Sequence, residues 1–358
     1  MNDFLKLLFQ NKQVSVYKIL PEKKVNPVRC LLSNRVKRFV FSTPYTRKIL
    51  NRPEIHGFEY VAFLRKGIKL FLESPPAKKL FSNLKQDEIS VLHFLRGGLN
   101  FGLLELLYTT YGFKKTRASF MTSQRFKKGK HWLIKHDQYR KFTEGKIIFA
   151  GDVIATGTTL ENGFLYLLDL KVLPEKFVFF TIGTPFAEKI LENFAQKLER
   201  RIKNFEAIVI YIEGRFSLVQ DKKEFPFCIP GTDIVKKNAL LTPEFEFSQD
   251  LSSHLERCEV YDVGARSFNW PKHFEDLLGY WGALKNSGYS VKDLFELRWE
   301  KFESFDEFKK RKKNQWKGVS EKILRRIYRK QIFLQKLAQK TDSKKFFTQR
   351  IKQIRFTM

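Results

Sequence analysis

The stretch from Ile147 to Leu160 holds acidic and hydroxyl-bearing residues in a spacing that could support chemistry. Its sequence, IIFAGDVIATGTTL, runs from an apolar segment into an acid and then into a turn of small and hydroxyl-bearing residues. The apolar residues are typical of a strand buried on both faces, and the apolar spacing after Leu160 predicts a helix. The turn would therefore lie at a helix N-terminus, where N–H groups and the helix dipole favour an oxyanion. Asp152 would end the strand, where its carboxylate can accept hydrogen bonds from sugar hydroxyls or hold Mg2+ through water.

A second segment carries groups that suit a diphosphate. The apolar stretch from Ile89 to Leu95 predicts another buried strand, and Arg96-Gly97-Gly98 follows it directly. Adjacent glycines allow backbone torsions that other residues avoid, so N–H groups can approach a diphosphate closely, while an Arg adds charge-assisted hydrogen bonds. Taken alone, this turn is also compatible with an ordinary loop, and the first segment with an ordinary strand, turn and Thr-capped helix.

Together, the two segments resemble the pyrophosphate loop and the 5-phosphoribosyl-1-pyrophosphate (PRPP) loop of the type I phosphoribosyltransferases. The PRPP loop of that family usually consists of two acids, three mostly apolar residues and Thr-Gly-Gly-Thr, and the match here runs from Asp152 to Thr159. Gly151 stands where the first acid is usual, and Thr158 replaces the second loop glycine. The segment is neither a Walker A loop nor a dinucleotide-binding Gly-x-Gly-x-x-Gly turn.

The resemblance implies a division of roles between the two loops. Asp152 would hold the ribose hydroxyls and Arg96 would stabilise the departing pyrophosphate, which makes these two the candidate catalytic residues. The pyrophosphate loop would comprise Arg96, Gly97 and Gly98. Mg2+ is expected as the cofactor, held through PRPP and water with no direct protein ligand. The residues expected to bind the phosphate and ribose of PRPP are Asp152, Val153, Ile154, Ala155, Thr156, Gly157, Thr158 and Thr159.

Strand and helix patterns alternate through the middle of the chain, which predicts a parallel sheet. The predicted strands lie near 89–95, 116–121, 147–151, 177–182 and 206–212, and the predicted helices over 99–111, 159–170 and 185–203. The fold class is therefore predicted as α/β, a type I phosphoribosyltransferase-like parallel sheet flanked by helices. In such sheets ligands bind beyond the carboxyl ends of the strands, where Arg96 and Asp152 both fall.

A polar, basic segment over 122–146 separates two of the predicted strands. Members of the family carry a flexible loop or hairpin at the equivalent place, which closes over PRPP. The resemblance therefore makes Lys127, Lys128 and Lys130 candidate lid residues. A solvated surface hairpin is the alternative, because runs of charge are usually exposed.

The regions before and after the predicted sheet are expected to form accessory domains. We expect an accessory N-terminal region over 1–87, which could form a hood over the acceptor, a phosphoribosyltransferase-like domain over 88–235, and a helical, basic domain over 236–358. The formal net charge is +29, and residues 301–358 hold 19 Lys and Arg against 5 Asp and Glu. Their apolar residues recur at helical spacing, so this region is predicted to form amphipathic helices. A basic helical face can bind RNA or DNA, or can simply be solvated.

Cysteine usage and hydropathy limit the expected surroundings. Cys30, Cys228 and Cys258 are few and widely spaced, so neither a disulfide framework nor a zinc site is predicted and a cytoplasmic location is expected. No segment reaches the length of a membrane span, and no membrane partner is expected. The oligomeric state is open, with a dimer among the expected forms.

The leading hypothesis is an Mg2+-dependent phosphoribosyltransferase that transfers the 5-phosphoribosyl group of PRPP to a nitrogenous acceptor and releases pyrophosphate. Because Gly151 lacks a carboxylate, an enzyme that uses another ribose 5-phosphate ester is also open. The main alternative is a non-catalytic regulator on the same fold, which senses a phosphoribosyl ligand and binds RNA or DNA through its basic C-terminal helices.

Overall fold

The strands of the protein form one mostly parallel sheet. Its computed structural model describes residues 3–21, 36–128, 131–141, 145–199, 201–202 and 205–358. Within these ranges the strands are β1 (Phe4–Gln10), β2 (Ser15–Leu20), β3 (Val36–Ser42), β4 (Ile89–Leu95), β5 (Arg117–Lys128), β6 (His131–Lys141), β7 (Ile147–Ile154), β8 (Lys176–Gly183), β9 (Glu206–Leu218), β10 (Ile234–Leu241) and β11 (Trp316–Lys317). Their order is β11-β1-β2-β3-β9-β8-β7-β4-β5-β6, and β10 pairs with the end of β9. The central run from β3 to β5 is parallel throughout.

Helices cover both faces of this sheet. They are α1 (Pro44–Asn51), α2 (Gly57–Leu72), α3 (Pro75–Phe81), α4 (Leu103–Tyr111), α5 (Thr158–Asp169), α6 (Phe186–Glu199), α7 (Pro243–Ser248), α8 (Leu251–Leu255), α9 (Val263–Phe268), α10 (Trp270–Asn286), α11 (Val291–Arg298), α12 (Phe305–Gln315), α13 (Glu321–Lys340) and α14 (Ser343–Phe356). Short 3-10 turns at Gln86–Glu88 and Gly97–Phe101 flank β4. The predicted α/β class, with a parallel sheet flanked by helices and a mainly helical C-terminal region, is confirmed.

The apolar runs explain why the central strands are buried on both faces. In β8 every residue after Lys176 is buried, and successive side chains enter different cores. Val178 and Phe180 pack with α1–α4, whereas Phe177 and Phe179 pack with α5 and α6. Side chains alternate across a strand, so only a continuous apolar sequence can fill two such layers.

The flanking regions are built into the same sheet. Residues of the predicted N-terminal region form β1 to β3, and β3 pairs with β9 in the centre of the sheet. Strand β10, which begins at Ile234 and lies mostly in the C-terminal region, pairs antiparallel with the end of β9, and β11 of the C-terminal region pairs with β1. Helix α13 contributes Leu324 and Ile327 to one core and Leu334 to the other. The division into three domains stays a prediction, while the strands of all three regions share one sheet.

None of the helices that the structure describes combines the length and the apolar composition that a bilayer crossing requires.

Candidate functional site

The register of β4 and β7 brings the two predicted loops side by side. His93 pairs with Gly151 in the parallel ladder, so both strands end at the same edge of the sheet. A Cβ atom placed on Gly97 would lie only 2.8 Å from Oδ1 of Asp152. One placed on Gly98 would lie 2.8 Å from the carbonyl oxygen of Gly151. Glycine is therefore required at both positions if the loops are to approach this closely.

The loop after β4 presents Arg96 to solvent at the mouth of the crevice. The peptide bond between Leu95 and Arg96 is cis, and the Arg96 side chain is exposed. The following turn is held from outside by Arg65 of α2, whose Nη2 donates to the Leu99 carbonyl at 3.0 Å and whose Nε donates to the Asn100 carbonyl at 3.3 Å. Arg65 thereby positions the backbone of the predicted pyrophosphate loop.

A segment from the C-terminal region forms one wall of the crevice. The side-chain amide of Asn100 donates to the Val263 carbonyl at 3.2 Å, and a Cβ atom on Gly97 would lie 3.3 Å from Cγ2 of Val263. Helix α9 begins there, because the Asp262 carboxylate accepts from the N–H groups of Gly264 and Ala265. This contact places residues from beyond the central strands next to the two loops.

The end of β7 divides the predicted PRPP loop into buried and accessible parts. Asp152 is half-buried, and its Oδ1 accepts from the N–H of Val153 at 2.8 Å. Val153 is also half-buried, whereas Ile154 is 2 % exposed and packs in the core. The Ala155 carbonyl accepts from the Thr184 hydroxyl at 2.6 Å. Ile154 and Ala155 therefore serve to hold the loop backbone against β8.

The turn before α5 has the geometry of an open helix N-terminus. Gly157 has φ of +81°, a conformation that side chains disfavour, and a Cβ atom there would lie 2.1 Å from Cδ1 of Ile190. Helix α5 begins at Thr158, and its first backbone bond is from the N–H of Glu161 to the Gly157 carbonyl. The N–H groups before Glu161 lie ahead of that bond, as at every helix start.

Hydroxyl groups surround this helix start. Thr156 and Thr158 share a hydrogen bond of 3.0 Å between their hydroxyl oxygens, and both side chains are half-buried. Thr159 is half-buried as well. The hydroxyls, the amides and the positive end of the helix dipole together make this helix start electropositive, which suits a phosphate group.

Phe101 accounts for the glycine at position 151. A Cβ atom on Gly151 would lie 2.6 Å from Cγ and 3.0 Å from Cβ of Phe101, whose side chain is 1 % exposed. No acid fits at this position unless the Phe101 ring moves away. The glycine at position 151 is therefore matched by the packing of Phe101, and Asp152 is the acid that β7 carries next to it.

Buried aromatic and cationic groups lie behind Asp152. Burial raises the pKa of Tyr60 to about 12, the Arg266 guanidinium opposes this rise, and the Asp152 carboxylate adds to it. The Arg266 guanidinium lies 4.3 Å from the Tyr60 ring centroid and donates to the carbonyls of Ile49, Arg52 and Ile55.

The lid candidates are only partly described. The backbones of Lys127 and Lys128 lie in β5, where they pair with Trp132 and His131 of β6 in an antiparallel hairpin. Lys130 lies outside the described residues. Their role as a lid stays a prediction.

Within the ranges that the structure describes, no group of three or more His, Cys, Asp or Glu side chains could hold a metal ion. Asp152 at the edge of Gly97 is the carboxylate that an Mg2+ ion carried in with a diphosphate would meet.

Sequence reasoning missed Arg65, Val263 and Thr184. Arg65 lies 31 residues before Arg96, and Val263 and Thr184 lie 111 and 32 residues after Asp152. No local pattern marks them, because their contacts depend on how distant elements pack.

No protein-family model and no curated protein matches the chain. Among solved structures it is similar to the AQ2163 protein from Aquifex aeolicus, with 18% identity, 49% of this chain and 86% of that chain covered, and a TM-score of 0.33. It is similar to an adenine phosphoribosyl transferase from Trypanosoma brucei, with 14% identity, 49% and 83% coverage, and a TM-score of 0.32. A purine phosphoribosyltransferase from Pyrococcus horikoshii shows 12% identity, 43% and 83% coverage, and a TM-score of 0.26. About half of the chain is thus similar to solved phosphoribosyltransferases.

Proposed function

We propose that the protein is an Mg2+-dependent phosphoribosyltransferase of the cytoplasm, which binds PRPP and transfers its 5-phosphoribosyl group to a nitrogenous acceptor. The observation that carries the proposal is the approach of the Arg96–Gly98 loop to Asp152 at the ends of β4 and β7. A diphosphate site and a ribose 5-phosphate site are needed side by side to hold PRPP, and this edge of the sheet offers both chemistries.

Each loop has a separate task in this proposal. The amides and hydroxyls of Thr156–Thr159 bind the 5-phosphate at the start of α5, and Asp152 accepts hydrogen bonds from the ribose hydroxyls. As the bond to the anomeric carbon breaks, negative charge grows on the pyrophosphate. Arg96 and the N–H groups of Gly97 and Gly98 stabilise that charge by donating hydrogen bonds to the departing oxygens.

Mg2+ would be held mainly by oxygens of PRPP and by water, beside Asp152, and would help to neutralise the pyrophosphate. The protein keeps a compact wall around this position through Val263 and the turn that Arg65 holds. The acceptor would enter from the open side of the crevice, where Arg96 is exposed.

Calorimetric titration with PRPP, with and without Mg2+, tests the proposal. We expect saturable, Mg2+-dependent binding that Asp152→Asn weakens by about tenfold or more, the loss of a charged hydrogen-bond acceptor. Asp169→Asn is the matched control, because Asp169 is exposed at the opposite end of α5. Equal binding by both variants would remove Asp152 from the site, and absence of PRPP binding would refute the proposal.

A second candidate function is a regulator that binds a phosphoribosyl ligand without turnover and also binds nucleic acid. The packing of Phe101 against Gly151, which leaves one carboxylate in place of two, favours it. The surface of α13 favours it too. One face of this helix exposes Lys322, Arg325, Arg326, Arg329, Lys336 and Lys340 together with Phe333 and Leu337, opposite the buried Leu324, Ile327 and Leu334. A continuous basic stripe of this kind can follow a phosphate backbone.

Point substitutions test this surface better than removal of residues 301–358, because Arg350 is buried and the buried side chains of α13 belong to the two cores. Arg329→Gln with Lys336→Gln removes two positive charges from the stripe without changing its buried side. For a regulator we expect salt-dependent binding to RNA or DNA that this double variant weakens. If the protein is an enzyme whose basic face is merely solvated, the double variant and the parent should release pyrophosphate at equal rates. Neither protein should then bind RNA or DNA.

A further inference from the structure

Six exposed side chains form one straight row along the solvent side of α13. They follow one another at intervals of four, three, four, three and four residues, and side chains at such intervals lie above one another on a helix. At about 1.5 Å per residue the row is about 27 Å long. We call it the α13 row, and its members are Lys322, Arg326, Arg329, Phe333, Lys336 and Lys340.

The positive charge of the α13 row has no counter-charge beside it. Glu321 is the only acid of α13, and it pairs with Lys309 and Arg325, which lie outside the row. Among the residues that the structure describes, none of the five cations of the row forms an ion pair. Like charges at helical spacing repel one another, and a polyanion would relieve this repulsion. The row therefore suits a partner with a regular series of negative charges.

Aromatic rings accompany these cations. Phe333 lies between Arg329 and Lys336 in the row, and 58 % of its surface is exposed. The ring of Phe247 on α7, also exposed, lies 4.8 Å from the Arg326 guanidinium near the other end of the row. A phosphate gains nothing from an apolar ring, whereas the face of a nucleic-acid base stacks on one. Cations that follow a backbone, combined with exposed rings, are typical of sites for single-stranded nucleic acid.

The packing of α13 disfavours a duplex as the partner. The base faces of a duplex are covered by their neighbours, so a helix reads it from within the major groove, which is about as wide as the helix itself. Helix α13 packs against α7, α8, α11 and α12, which would collide with the walls of the groove. A single strand can instead lie along the row and turn a base towards Phe333.

The same packing disfavours an anionic membrane surface. A helix that lies in a membrane interface inserts a whole apolar face among the lipids. The apolar face of α13 is inside the protein, because Leu324 and Ile327 belong to one core and Leu334 to the other. Only Phe333 and the partly exposed Leu337 are left to insert, so the row matches a nucleic acid better than a bilayer.

We propose that the α13 row binds single-stranded nucleic acid, with its five cations on phosphates and one base stacked on the Phe333 ring. This inference rests on the second candidate function and makes it more specific, because it names the form of the nucleic acid and the residue that selects it. The row is separate from the crevice at Asp152, so binding there does not require PRPP.

Fluorescence anisotropy with the full chain tests the proposal. The probes are labelled single strands of RNA and of DNA of about twelve nucleotides, and the same strands annealed to their complements. We expect tighter binding of the single strands, and Phe333→Leu should weaken it about tenfold, because Leu keeps an apolar contact but has no flat ring for a base. Phe58→Leu is the control, since Phe58 is 84 % exposed on α2, outside the row, and this variant should bind like the parent.

The salt dependence measures the phosphate contacts separately from the stacking. Arg329→Gln with Lys336→Gln should lower the slope of log affinity against log salt by about 1.4, the value for two phosphate contacts on a single strand. Phe333→Leu should leave this slope unchanged, because it removes no charge. Thermal unfolding of all variants should match that of the parent, since the altered side chains are exposed.

The outcomes distinguish this inference from the function on which it rests. Equal or tighter binding of the duplexes, or single-strand binding that Phe333→Leu leaves unchanged, would overturn the inference and leave the second candidate function in place. If neither single strands nor duplexes bind, both are overturned, while the PRPP titration still decides the leading proposal. Tighter binding to vesicles of phosphatidylcholine and phosphatidylserine than to the single strands at the same salt would also overturn the inference, and would make the row a membrane contact.

Discussion

Replacement of the buried Glu213 by Gln tests whether a carboxyl group inside the fold controls stability near neutral pH. Glu213 lies in β9 and is fully buried. Its carboxyl accepts from the Thr43 N–H at 3.1 Å, from the Thr242 hydroxyl at 3.2 Å and from the Thr46 hydroxyl. Burial raises the pKa of Glu213 to about 7, although the Arg47 guanidinium and these hydrogen bonds act in the opposite direction.

The size of the effect follows from the difference between the pKa of Glu213 in the folded protein and in the unfolded chain. The ordinary pKa of Glu is 4.5 and the pKa in the fold is about 7, which corresponds to about 3 kcal/mol. The folded state binds this proton more tightly than the unfolded chain does. The contribution of Glu213 to stability is therefore fully present below pH 4.5, falls as the pH rises, and is lost above about pH 7.

Urea unfolding between about pH 5 and pH 8.5 measures this contribution. Gln cannot ionise, so Glu213→Gln should be more stable than the parent by up to about 3 kcal/mol at the alkaline end, with a smaller difference at the acidic end. Glu296→Gln serves as the control, because Glu296 is exposed on α11. The reasoning is refuted if the free energies of unfolding of Glu213→Gln and of the parent differ by the same amount at every pH in this range.

Two other substitutions address the site and the C-terminal helices. Gly157→Ala should lower the free energy of unfolding by about 1–3 kcal/mol and weaken PRPP binding, because φ is +81° and Ile190 blocks the added Cβ. Gly282→Ala is the control, because Gly282 lies in an open position on α10, and this change should be neutral or stabilising. Thermal unfolding measures the stability of both variants, and calorimetry measures their PRPP binding. Equal losses in the two variants would contradict the assignment of Gly157 to the phosphate-binding turn. Arg350→Met should lower the free energy of unfolding in urea by about 3–5 kcal/mol, since it leaves the buried Glu256 without its cation. A decrease below about 1 kcal/mol would contradict a structural role for the ion pair between Arg350 and Glu256.

Local sequence patterns predicted the central elements because those patterns depend on neighbouring residues. The apolar run at Ile147 indicates a strand, and β7 begins there and ends at Ile154. The spacing after Leu160 predicts a helix over 159–170, and α5 spans Thr158–Asp169. By contrast, the sequence did not indicate that residues before 87 supply the strand next to β9. Pairing between β3 and β9 joins segments more than a hundred residues apart, so no short pattern contains it.

For the candidate site, the sequence by itself determined which chemical groups are available: one acid at the end of a strand, hydroxyls at a helix start, and an Arg beside two glycines. These groups follow one another along short segments, so their order is enough to predict their kind of chemistry. Only the tertiary structure decided that Gly97 reaches Asp152, that Phe101 takes the space beside Gly151, and that Val263 closes one side. The physical reason is that steric exclusion and strand register act between residues that are close in space but distant in the chain.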